Sequence, residues 1–98
     1  MVINKNAEGA KLTLALQGRL DTTTAPQLEA ELKASIDNVS ELTFDFAELE
    51  YISSAGLRVL LSAQKTMTKQ GSMVVKNVNA DIMDVFDLTG FADILTIK

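Results

Sequence analysis

Cysteine and histidine are both missing from this chain of 98 residues, and so is tryptophan. Without a thiolate or an imidazole there is no Cys-His or Ser-His pair to make a nucleophile, no disulfide, and no sulfur or imidazole ligand for a metal. Carboxylates and lysines remain, but a catalytic site also needs a sheltered cleft, and about a hundred residues leave little from which to build one. The expectation is a protein that is not an enzyme, with no catalytic residue, no metal and no cofactor.

No stretch approaches the roughly 18 consecutive apolar residues of a membrane span. The opening Met1-Val2-Ile3-Asn4-Lys5 lacks the apolar core of a signal peptide. A cytoplasmic protein without membrane contact is therefore expected. The nine basic residues are outnumbered by 13 acidic ones, for a net charge of −4. They are also scattered, which leaves no footprint for a nucleic-acid backbone. Proline occurs once and glycine five times, while 47% of residues are hydrophobic and 22% charged, a globular composition suited to one domain over residues 1–98.

Residues 11–17 alternate strictly, setting Leu12, Leu14 and Leu16 on one face of a half-buried strand. Val2 to Lys5, joined to it through Asn6-Ala7-Glu8-Gly9, reads as the other arm of a hairpin. Thr24 followed by Gln27 forms a capping box with Pro26 in the first turn, so a helix starts there. Its apolar stripe is Leu28, Leu32, Ile36 and Val39, with Glu29, Glu31, Lys33 and Asp37 toward solvent. Leu42, Phe44 and Phe46 alternate with Thr43 and Asp45, predicting a strand that ends near Phe46. A second helix begins at about Ser54 and carries Leu57, Leu60, Leu61, Gln64 and Met67. Gln70-Gly71 stops it, and Met73-Val74-Val75 suits a buried strand. Asn79 caps a third helix bearing Ile82, Val85 and Phe86, Gly90 ends it, and a last strand is predicted over Ile94 to Lys98.

The order is β-β-α-β-α-β-α-β, an α/β fold with a mixed, mostly parallel sheet and helices packed on it. Right-handed crossovers bring the loops after the parallel strands to one edge of the sheet, where ligands and partners meet such folds. Asp21-Thr22-Thr23 and Ser53-Ser54 are therefore expected to be neighbours in space. At Ser53 and Ser54 a loop becomes a helix, and serine there serves most often as a plain N-cap. The alternative starts from Ala55 and Gly56, which leave backbone accessible around a first turn whose free N–H groups favour an anion such as phosphate. Ser54 is not a nucleophile elbow, since the G-x-S-x-G turn and a histidine are both absent. Gly9, Gly18, Gly56, Gly71 and Gly90 fit no nucleotide-binding fingerprint. Asp21 reads either as an acceptor supporting the site or as an ordinary loop carboxylate. Asp45, Glu48 and Glu50 form an acidic group that reads as solvated. Met67, Met73 and Met83 read as core fillers, and Phe86, Leu88 and Phe91 as core or a docking face.

Three segments together, Gly18-Arg19-Leu20-Asp21, Phe44-Asp45-Phe46 leading to Tyr51-Ile52-Ser53-Ser54-Ala55-Gly56-Leu57-Arg58-Val59-Leu60, and Phe86-Asp87-Leu88-Thr89-Gly90, resemble the anti-sigma-factor antagonists, the stand-alone STAS domains of bacteria. The resemblance spans essentially the whole chain, with the segments in the family's order and spacing. It implies a STAS fold and no enzymatic activity. It also implies two partners: an anti-sigma factor with serine-kinase activity, which phosphorylates a serine in a D-S-[ST]-G-L motif, and a metal-dependent serine phosphatase, which reverses this. The unphosphorylated antagonist binds the anti-sigma factor and frees the sigma factor.

Aligned on Gly56 and Leu57, the resemblance places the phosphorylated serine at Ser54, and the Asp of the family's G-x-L-D loop at Asp21. The partner-binding surface it implies comprises Asp21, Thr22, Thr23, Ser53, Ser54, Ala55, Gly56, Leu57 and Arg58. Ser53 departs from the pattern, since the family has Asp before the phosphorylated serine. Either the kinase reads a variant motif, or Ser53 is itself modified, or only the interaction surface is kept, as in a STAS adaptor of a transporter or signalling assembly. The edge strand from Val2 could pair with a second copy, so a monomer and a weak dimer both stand open.

Overall fold

Strict alternation over Leu12, Leu14 and Leu16 produces the strand it predicts, and the rest of the sheet assembles around it. The computed structural model describes residues 1–98. Its elements are β1 (Val2–Glu8), β2 (Lys11–Leu20), α1 (Ala25–Ser35), β3 (Glu41–Ile52), α2 (Ser54–Gln70), β4 (Ser72–Lys76), α3 (Ala80–Thr89) and α4 (Phe91–Ile94). The four strands lie in the order β1-β2-β3-β4. β1 pairs antiparallel with β2 through a tight turn at Gly9 and Ala10, while β2, β3 and β4 run parallel.

One face of the sheet carries Leu12, Leu14 and Leu16 of β2, Leu42, Phe44 and Phe46 of β3, and Met73 and Val75 of β4, all buried. Onto it the helices deliver Leu28 and Leu32, then Leu60, Ala63 and Met67, then Ile82 and Phe86, giving one cluster of 23 buried residues. Each large side chain buried in this way contributes about 1.5–3 kcal/mol. The helical spacing of Leu28, Leu32, Ile36 and Val39 is only partly helix. α1 stops at Ser35, and Val39 reaches the core from the connection that follows. Gln70 at the end of α2 fixes this connection, its Nε2 donating to the carbonyls of Ile36 at 2.8 Å and Val39 at 2.7 Å.

Two expectations are corrected. The strand predicted to end near Phe46 continues to Ile52. Phe46, Leu49 and Ile52 are three residues apart, a spacing that plain alternation cannot bury on one face. Register shifts between Ala15 and Gln17 and between Gly18 and Arg19 in the β2 pairing absorb the mismatch, so all three are buried. At the other end, the predicted last strand contracts to one parallel bridge between Val75 and Ile97. Ile94 closes the short helix α4 instead, while Leu95 turns into the core. The element order otherwise follows the sequence reading, and the bridge keeps the chain end beside β4.

Candidate functional site

The last residues of β2 and β3, Leu20 and Ile52, are register partners, and the amide of Ser53 donates to the carbonyl of Leu20 at 2.9 Å. The loop beginning at Asp21 and the start of α2 are thereby set side by side, as the crossover argument requires. The two serines then divide their work. Ser53 is the N-cap, with extended backbone and an Oγ that accepts a long, 3.5 Å hydrogen bond from the Gly56 amide. Ser54 opens the helix, is exposed, and its hydroxyl makes no hydrogen bond. Plain capping accounts for Ser53 and leaves Ser54 free.

Asp21 is the organiser of its loop. Its Oδ1 accepts from the Thr23 hydroxyl at 2.7 Å, the Thr23 amide at 3.0 Å and the Thr24 amide at 3.1 Å. These donors, the Thr23 hydroxyl foremost, hold the carboxyl below its ordinary value although partial desolvation opposes them. The capping box expected of Thr24 and Gln27 does not form. The Thr24 hydroxyl donates to the Arg19 carbonyl at 2.8 Å and accepts from the Asp21 amide at 2.8 Å, so it closes the turn rather than the helix.

Of the surface the sequence suggested, Thr22, Thr23, Ser54 and Arg58 are exposed, and Asp21, Ser53 and Ala55 are half-buried. Gly56 and Leu57 are buried against the sheet. The role expected of Gly56 is thus corrected. A Cβ there would lie 2.7 Å from Leu20 Cγ and 2.9 Å from Ile52 Cγ1, so the glycine lets α2 close on the sheet rather than opening backbone to solvent. Thr22, Ala25, Pro26 and Glu29 face Ala55, Arg58 and Val59 across a shallow cleft between α1 and α2.

Two residues missed by the sequence reading join the site. Arg19 and Tyr51 are register partners on β2 and β3, the guanidinium lies 4.2 Å from the ring centroid, and its Nε is 3.8 Å from Asp21 Oδ2. An exposed cation–π contact of this kind contributes about 0.5–1 kcal/mol. Only the pairing register could have joined them, because 32 positions of sequence separate the two. Asp45 leaves the acidic group the sequence placed with Glu48 and Glu50. It accepts from Asn77 Nδ2 at 2.9 Å and the Ala47 amide at 3.0 Å, and these bonds, Asn77 first, lower its pKa. No group of three or more carboxylates comes close enough together to hold a metal ion.

This geometry meets known proteins at every level. The family profile described as Mlab, STAS domain matches residues 3–96. BtrV of Bordetella bronchiseptica, a protein named as an anti-sigma factor antagonist, is 39% identical over 88 residues, covering 88% of this chain and 76% of BtrV. The chain belongs to the STAS-domain anti-sigma-factor antagonists. Among solved structures, an anti-sigma factor antagonist from Mycobacterium paratuberculosis superposes with a TM-score of 0.88 at 22% identity, over 98% of this STAS domain and 83% of that chain. The Bacillus cell fate determinant SpoIIAA in its phosphorylated form superposes with a TM-score of 0.77 at 18% identity, over 99% and 91%. At these identities the two structures establish the shared STAS fold. No helix is long and apolar enough to cross a membrane.

Proposed function

We propose that this STAS domain is a phosphorylation-controlled antagonist of an anti-sigma factor. Unphosphorylated, it binds an anti-sigma factor that carries serine-kinase activity, through the edge formed by Asp21, Thr22, Thr23, Ser53, Ser54, Ala55 and Arg58. Phosphorylation of Ser54 by that partner dissolves the complex, and a metal-dependent serine phosphatase restores it, so that sigma-factor-dependent transcription follows the state of one hydroxyl. The observation that carries this reading is Ser54 itself: exposed, unbonded, and seated on the first turn of α2 beside the Asp21 loop. The names of the relatives support the antagonist role, and SpoIIAA exists in a phosphorylated form.

The mechanism is electrostatic. A phosphoryl group adds about −1.5 to −2 charges, and the first turn of a helix tolerates negative charge, so the fold changes little. The cost falls on the complex, where the partner must desolvate that edge. A loss of about 2.8 kcal/mol weakens binding roughly a hundredfold, enough to exchange partners. Incubated with its anti-sigma kinase, the wild type takes up one phosphate, Ser54→Ala none, and Ser53→Ala one. Label persisting on Ser54→Ala and lost from Ser53→Ala would move the site to Ser53.

Ser53, standing where the family has Asp, favours one second reading: a STAS adaptor of a transporter or signalling assembly that keeps the edge as a contact and has lost the switch. Under that reading the purified pair shows no phosphate transfer, and Ser54→Asp leaves binding intact.

A further inference from the structure

The negative charge of this protein is concentrated in one place. Residues 80–97 hold four of the 13 acidic residues, Asp81, Asp84, Asp87 and Asp93, and none of the nine basic ones. The rest of the chain balances, nine against nine, so this segment accounts for the whole net charge of −4. None of the four aspartates enters an ion pair or a side-chain hydrogen bond. In the same segment Leu88 is 89% exposed, the most open large apolar side chain in the molecule, and Ile94 is also exposed.

On α3 the two features coincide. Ile82 and Phe86 point into the core. At 3.6 residues per turn, Asp87, Asp84, Leu88 and Asp81 follow one another around about a third of the helix circumference, on the side away from those two. An exposed leucine alone is ordinary. A leucine beside three unpaired carboxylates, on the solvent face of a helix whose inner face is anchored, has the composition of an interface anchor with a charged rim.

We propose that the Asp81–Asp84–Asp87–Leu88 face of α3 is a protein-docking surface for a partner that presents lysine or arginine around an apolar recess. Charge selects this occupant. A second copy would set aspartates against aspartates, and an anionic lipid surface or a nucleic acid would be repelled in the same way. A basic protein surface gains both the rim charges and burial of Leu88. The assignment is independent of Ser54 and of any anti-sigma factor.

The test uses the isotope-labelled full chain and two synthetic helical peptides of equal positive charge, one of lysine and leucine, the other of lysine and serine, followed by amide chemical shifts. The lysine–leucine peptide is expected to bind saturably, with shifts confined to Asp81 through Ile94. Burial of a leucine sets the discrimination, so the lysine–serine peptide and the Leu88→Ser variant should each bind at least about tenfold more weakly. Asp84→Asn with Asp87→Asn should flatten the salt dependence of binding. Shifts spread over the surface or centred on Ser54, equal affinity for the two peptides, or a concentration-dependent dimer that Leu88→Ser abolishes would each overturn the proposal.

Discussion

Gly56→Ala tests how the site is held against the sheet. The backbone at Gly56 is ordinary helix, and alanine in a helix interior gains about 1 kcal/mol over glycine. Against that stands space. The added Cβ would sit 2.7 Å and 3.0 Å from Leu20 Cγ and Cδ2 and 2.9 Å from Ile52 Cγ1, where carbon atoms rest at about 3.5–4.0 Å. Neither neighbour has room to step aside, because Leu20 is 0% and Ile52 3% exposed, and two of the three contacts are with branch-point or mid-chain carbons, Leu20 Cγ and Ile52 Cγ1. Overpacking of a closed core costs about 1–3 kcal/mol, and the nearness of three atoms places this site at the upper end. The net expectation is a loss of about 1–2 kcal/mol, or a melting temperature lower by roughly 5–15 °C for a domain of this size. Thermal and urea unfolding would measure it.

The cause is separable from a general helix effect by a double-mutant cycle. Leu20→Ala alone costs about 2–5 kcal/mol through the cavity it leaves. Combined with Gly56→Ala, the new methyl enters that cavity, so the pair should cost clearly less than the two losses together. A Gly56→Ala protein that melts at or above the wild-type temperature, or a strictly additive pair, would refute the reasoning that glycine is needed there for close approach of α2 to β2 and β3.

Three other outcomes follow from the same contacts. The Asp21 carboxyl is held below its ordinary 3.8 by hydrogen bonds, so its contribution to stability is complete above that value and is lost as pH falls through the lower folded value. Asp21→Asn should therefore show a shallower fall of melting temperature below about pH 4 than the wild type, and identical slopes would count against the role of these bonds. Asn77 has a positive φ of 59° and donates to Asp45, so Asn77→Gly should lose about 1 kcal/mol for the hydrogen bond, and Asn77→Ala about 1 kcal/mol more for the left-handed backbone. Equal stability of the two variants in urea unfolding would contradict this division. Ser54→Asp should melt within a few degrees of the wild type or slightly above it, since its hydroxyl makes no bond and the helix start favours negative charge by about 0.3–1 kcal/mol; a large drop would mean that Ser54 is structural.

Much of this was legible in the residues, for physical reasons. Leu12, Leu14 and Leu16 sit on a strand with one buried face, and period two is the only pattern that serves it. Gly71 and Gly90 stand at the ends of α2 and α3, and Asn79 caps α3, as short-range rules require. What failed was governed by pairing and turn geometry that periodicity does not carry. The extension of β3 past Phe46 depends on irregular pairing with β2, invisible where Phe46, Leu49 and Ile52 are read alone. The Thr24 hydroxyl is engaged by the Arg19 carbonyl and the Asp21 amide instead of capping its own helix, and the Gln27 amide goes to the Thr24 carbonyl. The juxtaposition of Asp21 and Ser54 could be inferred because crossover handedness is general, whereas the Arg19–Tyr51 stack needed the register itself.

The charge layout changes how the proposed switch works. Asp21 supplies a negative charge beside Ser54. In the fold, Arg19 pairs with Asp21, and Arg58 lies one helical turn beyond Ser54, on the same side of α2. The surplus of negative charge resides on α3 and α4 instead. In the proposed switch, a phosphoryl group at Ser54 arrives at an edge where Arg19 and Arg58 offset part of the carboxylate charge. An unphosphorylated edge of this kind presents a partner with little net charge to desolvate, and a phosphorylated one presents nearly two full charges. Arg19 and Arg58 thus keep the cost of desolvating the unphosphorylated edge low, and the proposed phosphoryl group raises it.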